Sequence, residues 1–153
     1  LAGVGMVIFN CIIRMILLAA VFLWFHIVPP VSAPLFILGV SVLMSIGFMI
    51  GIALTPVGLL FSDIQQMIPL FSTFLMFMTP VLYPMPESGT AALLARWNPL
   101  TCVVVTTRDW LTTGNPLMLG QFYVVAGVTA LLLLVVWVFY RLALPHVIAR
   151  IGN

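Results

Sequence analysis

The sequence predicts an all-α fold: a polytopic transmembrane helical bundle of four spans plus two short re-entrant or interfacial helices. Three observations carry that expectation. The 153 residues are 64% hydrophobic. Only 5% are charged, against about 25% in a soluble domain. The apolar residues also come in long unbroken runs. Such a chain has too few polar groups to cover a water-exposed surface, so lipid must cover it. Continuous runs select helices, because barrel strands alternate over about ten residues.

A helical span takes roughly 20 apolar residues, and four fit in this length as one domain covering residues 1–153. The first runs from Gly5 to Val28 and stops at Pro29-Pro30, since proline cannot supply the next helical N–H. The second runs from Ala33 to Leu54. A short turn over Thr55–Gln65 (TPVGLLFSDIQ) leads to the third, Gln66 to Tyr83, with Pro69 in its first turn and Pro80 near its end. The fourth runs from Leu119 to Arg141. Between the last two, Pro84–Pro116 is semi-polar and holds Glu87, Arg96, Arg108 and Asp109. Its apolar stretches, Ala91–Trp97 and Leu100–Thr107, are too short to cross a bilayer. They read as interfacial or re-entrant helices broken at Asn98-Pro99 and at Gly114-Asn115-Pro116. Trp97 and Trp110 suit the headgroup layer, where amphipathic rings are enriched. The Arg count ties between the long connection and the tail, and leans only slightly to a cytoplasmic tail.

Several chemistries are disfavoured. The chain has no Lys, so it lacks the Walker A loop that cradles ATP phosphates. A net charge of +2 is too small for a nucleic-acid footprint. Cys11 and Cys102 form no metal or redox motif and read as free thiols. No catalytic set surrounds His26 or His146, which read as interfacial.

A few residues stand out. Arg14 lies inside the first span, about 21 Å from Val28 at 1.5 Å per residue. It is either a functional intramembrane charge or a side chain that snorkels or pairs. Its best partner is Asp63, with Asn10 one turn earlier. Ser41, Ser45 and Gly47-x-x-x-Gly51 give the second span small residues at helical spacing, for packing within the chain or for a dimer seam. Phe71, Phe74, Phe77 and Tyr83 line the third span. Aromatic faces hold sugars through CH–π contact, although lipid or helix packing would also use them. Arg108-Asp109-Trp110 is the most polar cluster on the far side, either solvated helix ends or an exit gate.

In order and spacing, LTPVGLLFSDIQQMIP (Leu54–Pro69), TPVLYP (Thr79–Pro84), Asn98-Pro99-Leu100, Thr107-Arg108-Asp109 and the tail YRLALPHVIARIGN (Tyr140–Asn153) resemble the permease subunit of ABC-2-type polysaccharide exporters. That family moves O-antigen, capsular polysaccharide or teichoic acid. The likeness covers essentially the whole chain, and Val28–Pro30 fits the turn after the family's third span. Where many members carry Arg before the Asp of the inner turn, this chain has Ser62. The resemblance implies six spans with both termini cytoplasmic, of which these are spans three to six in a bacterial inner membrane. It implies a homodimer with a channel at its seam and a non-enzymatic permease. ATP and Mg would sit on a separate ABC ATPase partner, and the cargo would be a lipid-linked glycan. The expected pathway is Phe71, Phe74, Phe77 and Tyr83, the inner gate Arg14 and Asp63, and the outer gate Arg108 and Asp109. Without the family's N-terminal elements, this stretch alone is not expected to couple ATP to transport. The competing expectations are an ABC-2 exporter of a small molecule or lipid and a non-transporting membrane scaffold. A secondary transporter fits less well, because no span interior has a carboxylate.

Overall fold

The computed structural model describes residues 2–81, 83 and 89–151, with the backbone alone for residues 2, 4, 59–60, 62, 65, 91, 94 and 143–151. Every regular element among them is helical. Helix α1 is Ala2–Trp24, and a 3-10 turn at Ala33–Leu35 leads into α2, Phe36–Leu60. Then come α3 (Ser62–Met78), α4 (Thr90–Trp97), α5 (Pro99–Thr112) and α6 (Leu119–Ile151). Three stretches are long and apolar enough to cross a membrane: Gly5–Trp24, Ala33–Gly58 and Leu119–Leu142. The expected span at Gln66–Tyr83 is shorter than that, with an apolar stretch of Gln66–Met78.

The first helix ends earlier than its apolar run. Ile27 N–H donates to Phe22 O and His26 N–H to Leu23 O, at 3.0 and 3.3 Å. This is the paired hydrogen bonding that closes a helix through one left-handed residue. His26, at φ 52°, fills that position, so the stop comes before Pro29-Pro30. The expected turn over Thr55–Gln65 is also corrected. Helix continues through Pro56 to Leu60, and only Phe61, at φ −132° and ψ 106°, breaks it before α3 starts. Pro69 therefore sits inside α3 rather than in its first turn.

The bundle proper is α2, α5 and α6. Helix α2 packs along α6 and against α5, and α5 lies against α6. Ser32 Oγ donates to Trp110 O at 3.1 Å, which brings the end of α5 to the head of α2. Trp110 meets Phe122 edge-on, with centroids 5.0 Å apart, which sets the head of α6 at the same level. Helix α5 thus runs antiparallel to both neighbours and returns through a turn at Gly114 (φ 78°). The Thr113 and Gly114 N–H groups both donate to Asp109 O there. Helix α1 makes no extended contact with any other helix among the described residues.

Polarity runs inside-out relative to a soluble fold. Thr79, Thr101, Thr106, Thr107, Asp109 and Thr129 are buried, while Phe9, Ile16, Ile37, Leu131 and Phe139 are among many large apolar side chains left outside. Water would penalise that arrangement, whereas lipid tails are as apolar as leucine.

Candidate functional site

Helix α5 has the most enclosed side chains among the described residues and a polar sequence, PLTCVVVTTRDWLT. Its start is built by Asn98. The Asn98 side chain accepts from Leu100 N–H at 3.0 Å, satisfying one of the donors a helix N-terminus leaves over. Pro99 follows at the first helical position, where its missing N–H costs nothing. The same amide donates from Nδ2 to Thr79 Oγ1 at 3.1 Å. One side chain therefore ties the end of α3 to the start of α5. It joins two motifs singled out in the sequence, Thr79-Pro80 and Asn98-Pro99-Leu100. The expected helix breaks at Asn98-Pro99 and Gly114–Pro116 both occur.

Inside α5, Thr107 Oγ1 donates back to Val103 O and the side chain fills the space beside Gly39. A Cβ at Gly39 would lie 2.8 Å from Thr107 Cβ. Here α2 and α5 meet closely, and no spacing pattern in the sequence flagged it. A Cβ at either glycine of the Gly47/Gly51 pair that did stand out would meet no other element within 4 Å among the described residues. Thr101 and Thr106 are fully buried, and their hydroxyls have no hydrogen-bond partner among the described residues. Each costs about 1–3 kcal/mol relative to a bonded hydroxyl.

The expected outer-gate pair divides. Asp109 is buried and its Oδ2 accepts from Leu117 N–H at 3.3 Å, so it holds the turn between α5 and α6. Arg108 is half-buried on a different side of the helix, because adjacent helical residues do not face each other. Trp110 is only 2% exposed and packs in the core. Protein therefore covers that ring, whereas Trp97 is 85% exposed. Of the expected inner pair, Arg14 is exposed on α1 and Asp63 is exposed in the first turn of α3. There an acid complements the helix dipole. Helix α1 has no extended contact with α3, so these two residues are not gathered into one site. Glu87 lies outside the described residues.

The expected pathway residues form an uncovered stripe. Phe71, Phe74 and Phe77 are 60–65% exposed, and at three-residue spacing they follow one side of α3. Tyr83 stands at their end, its hydroxyl donating to Phe77 O at 3.0 Å, where it satisfies one of the carbonyls left over at a helix C-terminus. Beyond the stripe, an open groove of about 410 Å³ lies under α1, lined entirely by apolar side chains such as Met15, Leu18, Phe22, Phe36 and Leu111. Among the described residues no group of His, Cys, Asp or Glu could hold a metal ion.

No family model, curated protein or solved structure matches this chain.

Proposed function

We propose that the chain is the membrane-spanning permease part of an ABC-2-type exporter. It would carry a lipid-linked polysaccharide across a bacterial cytoplasmic membrane, in a complex with a second copy of itself and a separate ATPase. The aromatic stripe on α3 is the observation that carries this reading. Three phenylalanine rings stand uncovered on a helix that touches its own bundle mainly at its ends. Sugars pass over such rings through weak, repeated CH–π contacts. Conduction needs sites weak enough to leave.

In this reading α3 is a fourth span. It reverses the chain at Phe61 and is pinned at its far end by the Asn98–Thr79 hydrogen bond. Helices α4 and α5 then dip into the membrane from the outer side, since α5 lies between two helices that span it. Tilting α3 about Phe61 would move the stripe, and Asn98 would carry that movement to α5. ATP and Mg act on the partner. With no Lys in the chain, a Walker A loop cannot be built here. ATP closure shifts the permease equilibrium only insofar as its two states differ in affinity for the closed ATPase.

The test is export itself. Deleting the gene in its host should leave glycan inside the cell and remove it from the surface. Restoring the gene with Phe71, Phe74 and Phe77 all changed to Ala should leave export at least tenfold below the restored wild type, at equal protein level. Full export by the triple variant would remove the stripe from the pathway. A second reading, export of a lipid or small molecule, draws on the wholly apolar groove under α1. It would be favoured if surface glycan were unchanged by the deletion.

A further inference from the structure

We infer that the groove under α1 holds one acyl chain of an anionic phospholipid, with the lipid's phosphate on Arg108. Helix α1 makes no extended contact with another helix among the described residues, yet it walls a groove of about 410 Å³. Met15, Leu18 and Phe22 line it from α1, Ala33 and Phe36 from the head of α2, and Leu111 from α5. On α1 the lining runs from Met15 to Ile27, roughly 18 Å at 1.5 Å per residue. One leaflet of a hydrocarbon layer is about 15 Å thick, so an acyl chain can lie along that wall from end to end. The walls from α2 and α5 close only the outer end, which leaves the deep end open to lipid.

The lining decides what fills the groove. Every lining side chain is apolar. A void there would forfeit the dispersion contacts of its walls. Water would find no partners, and a sugar would leave its hydroxyls unmet. Hydrocarbon meets none of these penalties. Apolarity alone does not choose among lipids, however; the choice comes from the nearest charge.

Three contacts fix the rotation of α5. Thr107 meets Gly39 of α2, Trp110 meets Phe122 of α6, and Leu111 lines the groove. At about 100° per residue, Trp110 lies about 60° to one side of Thr107, with Leu111 about 40° and Arg108 about 100° to the other. Going round α5, the order is therefore α6, α2, groove, Arg108. Arg108 is half-buried on the groove's flank, one turn deeper than Leu111. It has no ion pair or side-chain hydrogen bond among the described residues. Of the chain's three acids, Asp63 lies at the opposite end of the bundle and Asp109 is engaged with Leu117 N–H. Glu87 is outside the described residues. A cation at the edge of hydrocarbon calls for an anion, and the anions of a membrane are lipid headgroups. Arg108 lies about 9 Å below the Gly114 turn, and its long stem can carry the guanidinium up to that layer. A guanidinium fits a phosphate with two parallel hydrogen bonds. A net-negative lipid is preferred, because a zwitterionic one brings its own cation.

This inference rests on the membrane-spanning reading but not on transport. The full chain is reconstituted in phosphatidylethanolamine vesicles with a trace of phosphatidylglycerol that carries a photoreactive acyl chain, or of phosphatidylcholine that carries the same chain. After illumination, labelled residues are located by mass spectrometry. With phosphatidylglycerol, Met15, Phe22 and Phe36 should be labelled at least fivefold more than Val124 and Leu131 on the exposed side of α6. With phosphatidylcholine that excess should fall at least threefold, and Arg108→Gln should erase the difference between the two lipids. Ala19→Phe, which fills the groove, should remove the excess for both. The first two comparisons use the wild type and need no variant to fold. Groove and α6 labelled alike, equal excess with both lipids, or a preference that survives Arg108→Gln would overturn the site. So would a preference that appears only in Glu87→Gln, since Arg108 would then be paired within the chain. Recovery of the chain in the aqueous fraction would instead overturn the membrane reading beneath it, so the two failures are told apart.

Discussion

Helices α3 and α5 are similar in length, 17 and 14 residues, and the fold treats them in opposite ways. Helix α5 has threonines, an aspartate and a tryptophan, and most of its side chains are enclosed by α2, α4 and α6. Helix α3 carries phenylalanine, methionine and leucine, and its side chains stand outside. In water the assignments would be reversed, because burying apolar area is what drives packing there. In lipid the apolar helix gains nothing by hiding. The polar one has backbone and hydroxyl groups to satisfy and must be covered by protein. What holds α5 in place is therefore close packing and hydrogen bonding: the Gly39–Thr107 approach, the Asn98 cap and the Trp110–Phe122 edge contact.

That contrast can be broken from either side. The largest effect is expected on α5. Trp110→Ala removes a nearly fully buried ring and its contact with Phe122, and should lower stability by about 3 kcal/mol. This is the low end for truncating a buried Trp, because part of that loss in water is transfer free energy that lipid does not supply. Unfolding by denaturing detergent in mixed micelles would read it. Gly39→Ala should cost about 1–3 kcal/mol by the same measurement, since the new methyl overlaps Thr107 and the two helix backbones must part. Smallest is the effect on α3. Each of Phe71→Ala, Phe74→Ala and Phe77→Ala should change stability by no more than about 0.5 kcal/mol, as exposed positions do, while export falls. A stability loss on α3 as large as that on α5 would mean the stripe packs against protein of its own chain.

Much of the architecture was legible in the sequence, and the misses have identifiable causes. The apolar runs located the long helices because composition fixes the solvent. Asn98-Pro99 and Gly114–Pro116 marked real helix ends because capping and left-handed turns demand those residues. Thr55-Pro56 read as a turn, yet the helix runs through it: one lost backbone bond does not end a helix whose other bonds persist. Gly39 gave no signal, since a single glycine in FILGVSV has no spacing pattern, and only the partner Thr107 gives it meaning. Arg108-Asp109-Trp110 read as solvated helix ends or as an exit gate. Whether adjacent residues share a face is a matter of helix rotation, and rotation sends Asp109 inward. The α3 stripe was visible as a pattern. Its exposure was not, because periodicity alone does not say which face of an apolar helix is covered.

The central claim is that lipid surrounds these helices while α5 is shielded from it. Brominated acyl chains quench tryptophan fluorescence on contact, and the chain carries its own probes in Trp110, 2% exposed on α5, and Trp137, 47% exposed on α6. Two single-tryptophan versions, each keeping one of these and replacing the other tryptophans by Phe, would be reconstituted in brominated and ordinary bilayers. Strong quenching of Trp137 with Trp110 spared is the expected result. Equal quenching of both, or none of either, would contradict it.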